Sequence, residues 1–155
     1  MSFKDLQLNK PILKALAEKN YNHPTAVQEK TIPLVLEKKD VIVSAQTGTG
    51  KTAAFALPIL QLLFDKQDAP KKGKKIKALV ISPTRELAIQ IIGVLDSLAT
   101  FIDGFKSKLL IGGTSMDKDI KDIEQKPHVI VGTPGRVHDM IRRKKINAKT
   151  LKLLI

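Results

Sequence analysis

The run Ala45 to Thr52, Ala-Gln-Thr-Gly-Thr-Gly-Lys-Thr, has the residue types of a phosphate-binding loop at the spacing such a loop needs. Glycines at 48 and 50 let the backbone turn tightly and bring its N–H groups against phosphate oxygens, and a helix beginning there adds its positive end. Gln46, Thr47 and Thr49 fill the loop between them. Lys51 is placed to give a point charge to the β- and γ-phosphates, and Thr52 to set its hydroxyl on a magnesium ion. A bare strand-to-helix turn would have no use for Lys-Thr after the second glycine. Ala45 stands where many such loops carry glycine, so the loop alone specifies phosphate chemistry and no particular activity.

Hydrolysis of a bound nucleotide also needs a carboxylate to orient the metal, usually at the end of an apolar strand, and a second acid or Gln to position water. Neither is evident. The run to Ser82 continues into Pro83-Thr84, the run to Ile111 into Gly112-Gly113, and the run to Val131 into Gly132-Thr133-Pro134. The run Leu151 to Ile155 is the last of the chain. The expectation is therefore an ATP-binding half site without its acids, which by itself does not hydrolyse ATP.

Two further places combine cations with helix starts. Thr84 and Thr133 each precede a helix-period segment and sit beside Pro83 and Pro134, which is ordinary capping chemistry. Helix N-termini also bind phosphate, and Arg85 and Arg136, half of the chain's arginines, stand at these two starts. Glu86 reads as structural, because a carboxylate facing phosphate would repel it. Three histidines, His23, His128 and His138, have no metal-ligand spacing.

These residues need elements to hold them. Short β-branched runs at Asp40 to Ala45, Ala78 to Ser82, Lys108 to Ile111, Val129 to Val131 and Leu151 to Ile155 predict strands. Helices are predicted at Asn9 to Lys19, Thr25 to Glu37, Gly50 to Phe64, Thr84 to Phe101, Met116 to Gln125 and Arg136 to Arg143. Runs of Val, Ile and Leu alternating with helices indicate a parallel sheet covered on both faces, a three-layer α/β fold. A strand at Ile155 without a further neighbour would leave apolar surface exposed and favour self-association.

The chain has 155 residues, 43% of them apolar, with no run long enough to cross a membrane, and it has no cysteine and no secretory leader. A cytoplasmic setting follows, and disulfide, zinc-ribbon and thiol chemistry are excluded. Twenty-seven Lys and Arg against fifteen Asp and Glu give +12, which suits a polyanion, although surface lysine also serves solubility. Five Phe and one Tyr are too few for a base-stacking platform, so a nucleic acid would be held by its backbone. The lysine-rich run Lys71 to Lys75 reads as a solvated loop, and Arg142 to Lys145 as a cationic helix end.

Several segments together resemble the DEAD-box RNA helicases. Phe3 followed by Asn20-Tyr21-Asn22-His23-Pro24-Thr25-Ala26-Val27-Gln28 is similar to their adenine-reading Q motif, and Ala45 to Thr52 to motif I. Pro83-Thr84-Arg85-Glu86-Leu87-Ala88 is similar to motif Ia, Gly112-Gly113 to the glycine doublet, and Thr133-Pro134-Gly135-Arg136 to motif Ib. Asn20 replaces the usual glycine, a mild change because Asn also tolerates a left-handed helix end.

The resemblance implies a RecA-like P-loop NTPase domain, incomplete after Ile155, with a Q-motif helical region at 1–39 and the ATP-binding domain at 40–155. It implies ATP and Mg2+ as cofactors, with Phe3, Tyr21, Gln28 and residues Gln46 to Thr52 at the nucleotide, Lys51 in the catalytic role and Thr52 at the metal. Gln28 would pair with the N6 and N7 edge of adenine and select ATP over GTP. Tyr21 would stack on the base with Phe3 behind it, although either ring could simply fill a core. Pro83, Thr84, Arg85, Gly112, Gly113, Thr133, Pro134, Gly135 and Arg136 would form a track for an RNA backbone, read by shape and not by sequence. In the intact enzyme a second RecA-like domain would complete the site, and ATP hydrolysis would drive the unwinding of short RNA duplexes. The alternative is a non-catalytic nucleotide- or RNA-binding module.

Overall fold

A computed structural model describes residues 1–65 and 76–155, so the run Lys71 to Lys75 lies outside the described residues. The described chain divides into two compact units, residues 1–65 with 94–103, and residues 76–93 with 104–155.

The first unit is helical. Helix α1 (Lys10–Glu18) starts at Asn9, whose side chain accepts from the Ile12 N–H at 3.3 Å, with Pro11 in the first turn where its missing donor costs nothing. The Asn9 N–H in turn donates to Gln61 Oε1 at 2.7 Å, fixing the start of α1 on helix α3 (Lys51–Leu63). Helix α2 (Ala26–Leu36) packs along α3. Ile12, Leu16, Ile32, Leu57 and Leu60 are fully buried between them. A short 3-10 turn at Phe3–Leu6 adds Phe3 and Leu6 to this core.

The second unit is a four-stranded parallel sheet in the order β2-β3-β1-β4, with β1 at Ala78–Ile81, β2 at Ser107–Leu110, β3 at Val129–Gly132 and β4 at Leu153–Leu154. Helices α5 (Met116–Glu124) and α6 (Pro134–Arg142) cover one face, where Leu79, Leu110, Ile130, Ile123, Val137 and Met140 form a cluster. Ala78, Val80, Val129 and Val131 alternate with those strand residues and are buried too, so the central strands are covered on both faces, as their unbroken apolar runs require. Helix α4 (Arg85–Leu98) begins in this unit.

Register decides which loops meet. Ile81 pairs with Gly132 and Leu110 with Gly132, so the segments beginning at Ser82, Ile111 and Thr133 leave the same edge of the sheet side by side. The ladder runs one step further, with Ser82 N–H donating to Gly132 O at 2.8 Å and Thr133 N–H to Leu110 O at 3.0 Å.

One predicted strand is absent. Asp40 to Ala45 is extended chain that pairs with no strand among the described residues, and Ile42 is fully exposed. Its Val-Ile-Val composition is that of a buried strand, but a strand exists only where a neighbour takes its N–H and C=O groups. The other predicted strands and helices form within a few residues of their expected bounds; β4 keeps only two of five.

Four helices end on a left-handed residue that is not glycine: Asn20, Lys38, Lys126 and Lys144, with φ of 57, 62, 54 and 59°. Around Asn20, Lys38 and Lys144 the closing pair of backbone bonds is complete; at α1 the Asn20 N–H donates to Ala17 O at 3.0 Å and the Tyr21 N–H to Leu16 O at 2.9 Å. The substitution of Asn20 for glycine thus leaves the turn intact.

Candidate functional site

The loop Ala45 to Thr52 lies at the start of α3. Gly48 (φ 81°) and Gly50 (φ 86°) adopt the left-handed backbone that their positions required, and Gly50 caps α3 so that Lys51 and Thr52 open its first turn. Thr49 Oγ1 donates to Gln46 O at 2.7 Å and tightens the loop from within. The ammonium of Lys51 donates to the carbonyls of Ala45 and Gln46, the latter at 2.8 Å, bridging the loop's entry. Thr47 and Gly48 are exposed at the tip, and Thr52 is half-buried.

The start of α2 holds this loop. Gln28 is 3% exposed; its Oε1 accepts from the Thr25 N–H at 3.0 Å and its Nε2 donates to Gly50 O at 3.1 Å. A Cβ at position 50 would run into that amide, which is a second reason for glycine there. Thr25 Oγ1 adds a bond to Thr49 O at 2.8 Å. Thr25 is therefore a loop-holding residue that reading the sequence missed. Its signal is the Thr-x-x-Gln spacing of a capping box, which ties the same two residues to a helix start.

The aromatic residues part company. Tyr21, following α1, is 45% exposed, whereas Phe3 is 4% exposed within its 3-10 turn. Phe3 packs into the core, and of these two Tyr21 is the one whose residue is exposed.

In the second unit, the three loops at the sheet edge enclose an open cavity of about 760 Å³ lined by Pro83, Thr84, Arg85, Glu86, Gly112, Met116, Thr133, Gly135, Arg136 and Asp139. All three segments expected to form a track line one cavity. The two helix starts differ. Thr84 Oγ1 accepts from the Leu87 N–H at 3.2 Å and caps α4, so the capping role holds there. Thr133 makes no side-chain cap on α6, and the first-turn N–H groups of that helix take no bond from it.

The arginines differ too. Arg85 is exposed, and its guanidinium lies flat against the glycine doublet, with Nη2 3.2 Å from where a Cβ of Gly112 would stand and Nη1 3.0 Å from that of Gly113. Gly113, at φ 87°, could not carry a side chain without displacing Arg85. Arg136 is turned inward. Its Nη2 donates to Thr114 O at 2.7 Å, its Nε stands 3.4 Å from Asp119 Oδ2, and its side chain is 10% exposed. Arg136 both lines the cavity and braces its wall against the buried carboxylate of Asp119.

Asp119 is the other residue the sequence reading missed. It falls at the helical spacing of Met116 and Ile123, on the apolar face of α5, and an acid on such a face needs a buried partner. Among the described residues no group of three or more His, Cys, Asp or Glu is arranged for a metal ion, and no helix is long and apolar enough to cross a membrane.

The DEAD/DEAH box helicase family matches residues 25–155. An ATP-dependent rRNA helicase RRP3 of Gibberella zeae is 42% identical over 99% of this chain, and an ATP-dependent RNA helicase CshA of Limosilactobacillus reuteri 43% identical over 100% of it. This chain spans 30% of the length of each. A crystal structure of a DEAD box protein from the hyperthermophile Methanococcus jannaschii superposes with a TM-score of 0.88 at 36% identity, over 99% of this chain and 40% of that one. With its glycine-capped phosphate loop and its three-loop cavity on a parallel α/β, RecA-like scaffold, the chain belongs to the DEAD/DEAH box helicase family.

Proposed function

We propose that this chain binds ATP and an RNA sugar-phosphate backbone, and that within a longer protein it is the first of two RecA-like domains of an ATP-dependent RNA helicase that separates short duplexes. The observation that carries the RNA reading is that one cavity gathers Pro83 to Glu86, Gly112, Thr133, Gly135 and Arg136. Its chemistry suits a backbone: an exposed guanidinium on Arg85, a helix start at Thr133 without a side-chain cap, and no aromatic ring for base stacking among the residues that line it. Pro134 and Gly135 open the first turn of α6 and leave its N–H groups approachable. The cell compartment in this reading is the cytoplasm.

For the nucleotide, residues 1–39 would read the base while 40–155 hold the phosphates. The loop fits a triphosphate because Gly48 and Gly50 set its backbone and α3 points its N-terminus at it. Lys51 has three donors and can turn one toward a phosphate while keeping a carbonyl. Gln28, with two bonds made, keeps one lone pair and one N–H for the N6 and N7 edge of adenine, and Tyr21 offers its ring. Phe3 contributes by packing. Bound Mg2+ would neutralise phosphate charge, and the ligand this chain offers it is the Thr52 hydroxyl. Nucleotide binding without turnover is the behaviour proposed for this chain alone.

Calorimetric titration tests the nucleotide half. ATP should bind more tightly than GTP, and Lys51→Ala should remove most of the heat; equal affinity for ATP and GTP would sink the role of Gln28. Phosphate release by this chain, abolished in Lys51→Ala, would show that it holds its own acid.

A further inference from the structure

Arg136 lines the cavity with its guanidinium turned inward, and the group it turns to is Asp119. The Asp119 carboxylate is 1% exposed in the first turn of α5 and accepts from Thr114 Oγ1 at 3.1 and 3.2 Å. Arg136 Nε faces the same carboxylate at 3.4 Å, its Nη2 holds Thr114 O at 2.7 Å, and its Nη1 lies 3.5 Å from Met116 Sδ. Thr114 follows the glycine doublet directly, and its single hydroxyl proton is shared between the carboxylate and Ile111 O, 2.9 Å away. The carboxylate therefore clasps two loops: the turn that carries Gly112-Gly113, and the start of α6.

We propose that Asp119 is a positioning residue for nucleic-acid binding, fixing the glycine doublet under Arg85 and aligning it with the α6 start through Arg136 and Thr114. The proposal rests on the RNA reading of the cavity. A buried ion pair is poor evidence of stability, since apolar residues of similar volume often replace one without loss, but it fixes a geometry that apolar contacts leave loose. Here the pair is nearly dry, and of the residues around it Arg136 and Met116 line the cavity, while Thr114 follows the glycine doublet, whose Gly112 does. Arg85, by contrast, is exposed, and it lies on the doublet that the clasp secures.

The sign of one substitution separates positioning from simple electrostatics. Asp119→Asn removes a negative charge beside an RNA site, so Coulomb attraction alone predicts tighter binding. Positioning predicts the reverse, a weakening of about tenfold, as for loss of an orienting partner elsewhere. The measurement is fluorescence anisotropy of a short labelled oligouridylate with the whole 155-residue chain, at fixed salt and across a salt series, with circular dichroism confirming the fold. Arg136→Lys, which keeps the charge and loses the fork, should weaken binding similarly without lowering the salt slope, because Arg136 is not itself a phosphate contact.

Should Asp119→Asn unfold, the paired variant Asp119→Leu with Arg136→Met serves instead, expected to melt near the unmodified chain and still bind weakly. Binding by Asp119→Asn as tight as or tighter than the unmodified chain's, or full binding by the folded paired variant, overturns the proposal. Arg85→Ala is the control for the RNA reading: if it too leaves binding unchanged, or the unmodified chain binds no RNA, that reading falls and takes this one with it.

Discussion

The side-chain amide of Gln28 donates to the carbonyl of Gly50 at 3.1 Å, so the residue proposed to read adenine also holds the residue that caps the phosphate helix. Removing the amide should be felt in both roles. Gln28→Ala removes two part-buried hydrogen bonds, from the Thr25 N–H and to the Gly50 C=O, a loss of about 1–3 kcal/mol for the two together. Thermal melts should show it, alongside loss of the ATP preference in competition with GTP. Retained preference for ATP in a destabilised variant would assign base reading to another residue.

Arg85 is expected to carry much of the electrostatic hold on RNA. Arg85→Ala should weaken binding to single strands and reduce the slope of log K against log salt by about 0.7, the share of one phosphate contact. Binding should stay indifferent to base sequence. An unchanged slope would move the contact elsewhere on this basic chain.

Within the unpaired segment Asp40 to Ala45, Val41, Ile42 and Val43 are uncharged β-forming residues in a row, with Ile42 fully exposed. The chain should self-associate as its concentration rises, and Ile42→Lys should suppress this at no cost to the core. Dynamic light scattering over a dilution series checks it; equal scattering by both proteins would clear this segment.

Acid should destabilise the fold through His128. Burial, reinforced by the charge of Lys106, holds its imidazole below the ordinary 6.5, so the folded state resists protonation more than the unfolded chain does. Stability from this group is present above about pH 6.5 and is lost as pH falls from there through the lower folded value. His128→Asn, whose amide oxygen can take over the Lys106 N–H now donated to Nδ1 at 3.1 Å, should flatten that part of the curve in urea melts. Parallel curves for the two proteins would contradict it.

The parts legible in the sequence are those set locally. Gly48 and Gly50 announce their left-handed turns, and Lys51 and Thr52 their place in the first turn of α3, by type and spacing, and β1, β2 and β3 announce themselves by unbroken apolar runs. What escaped depends on partners distant in the chain. Asp40 to Ala45 reads as a strand because strand composition says nothing of whether a neighbour exists. The pairing of Arg136 with Asp119 is invisible in sequence because the acid comes from another helix. Gln28 and Thr25 lie between, since their capping spacing is visible but their hold on Gly50 and Thr49 is not.

Lysine occupies the left-handed turn at three helix ends, Lys38, Lys126 and Lys144, where glycine would fit without strain. Each place exchanges rigidity for charge. A glycine there would relieve about 1–2 kcal/mol of backbone strain and return part of it through a more flexible unfolded chain, a gain of about 0.5–1 kcal/mol. The triple variant would carry three positive charges fewer than the native +12. Selection for thermal endurance would push these positions one way and selection for a polyanion partner the other. Which residue a relative keeps at each turn therefore becomes a record of which pressure was stronger.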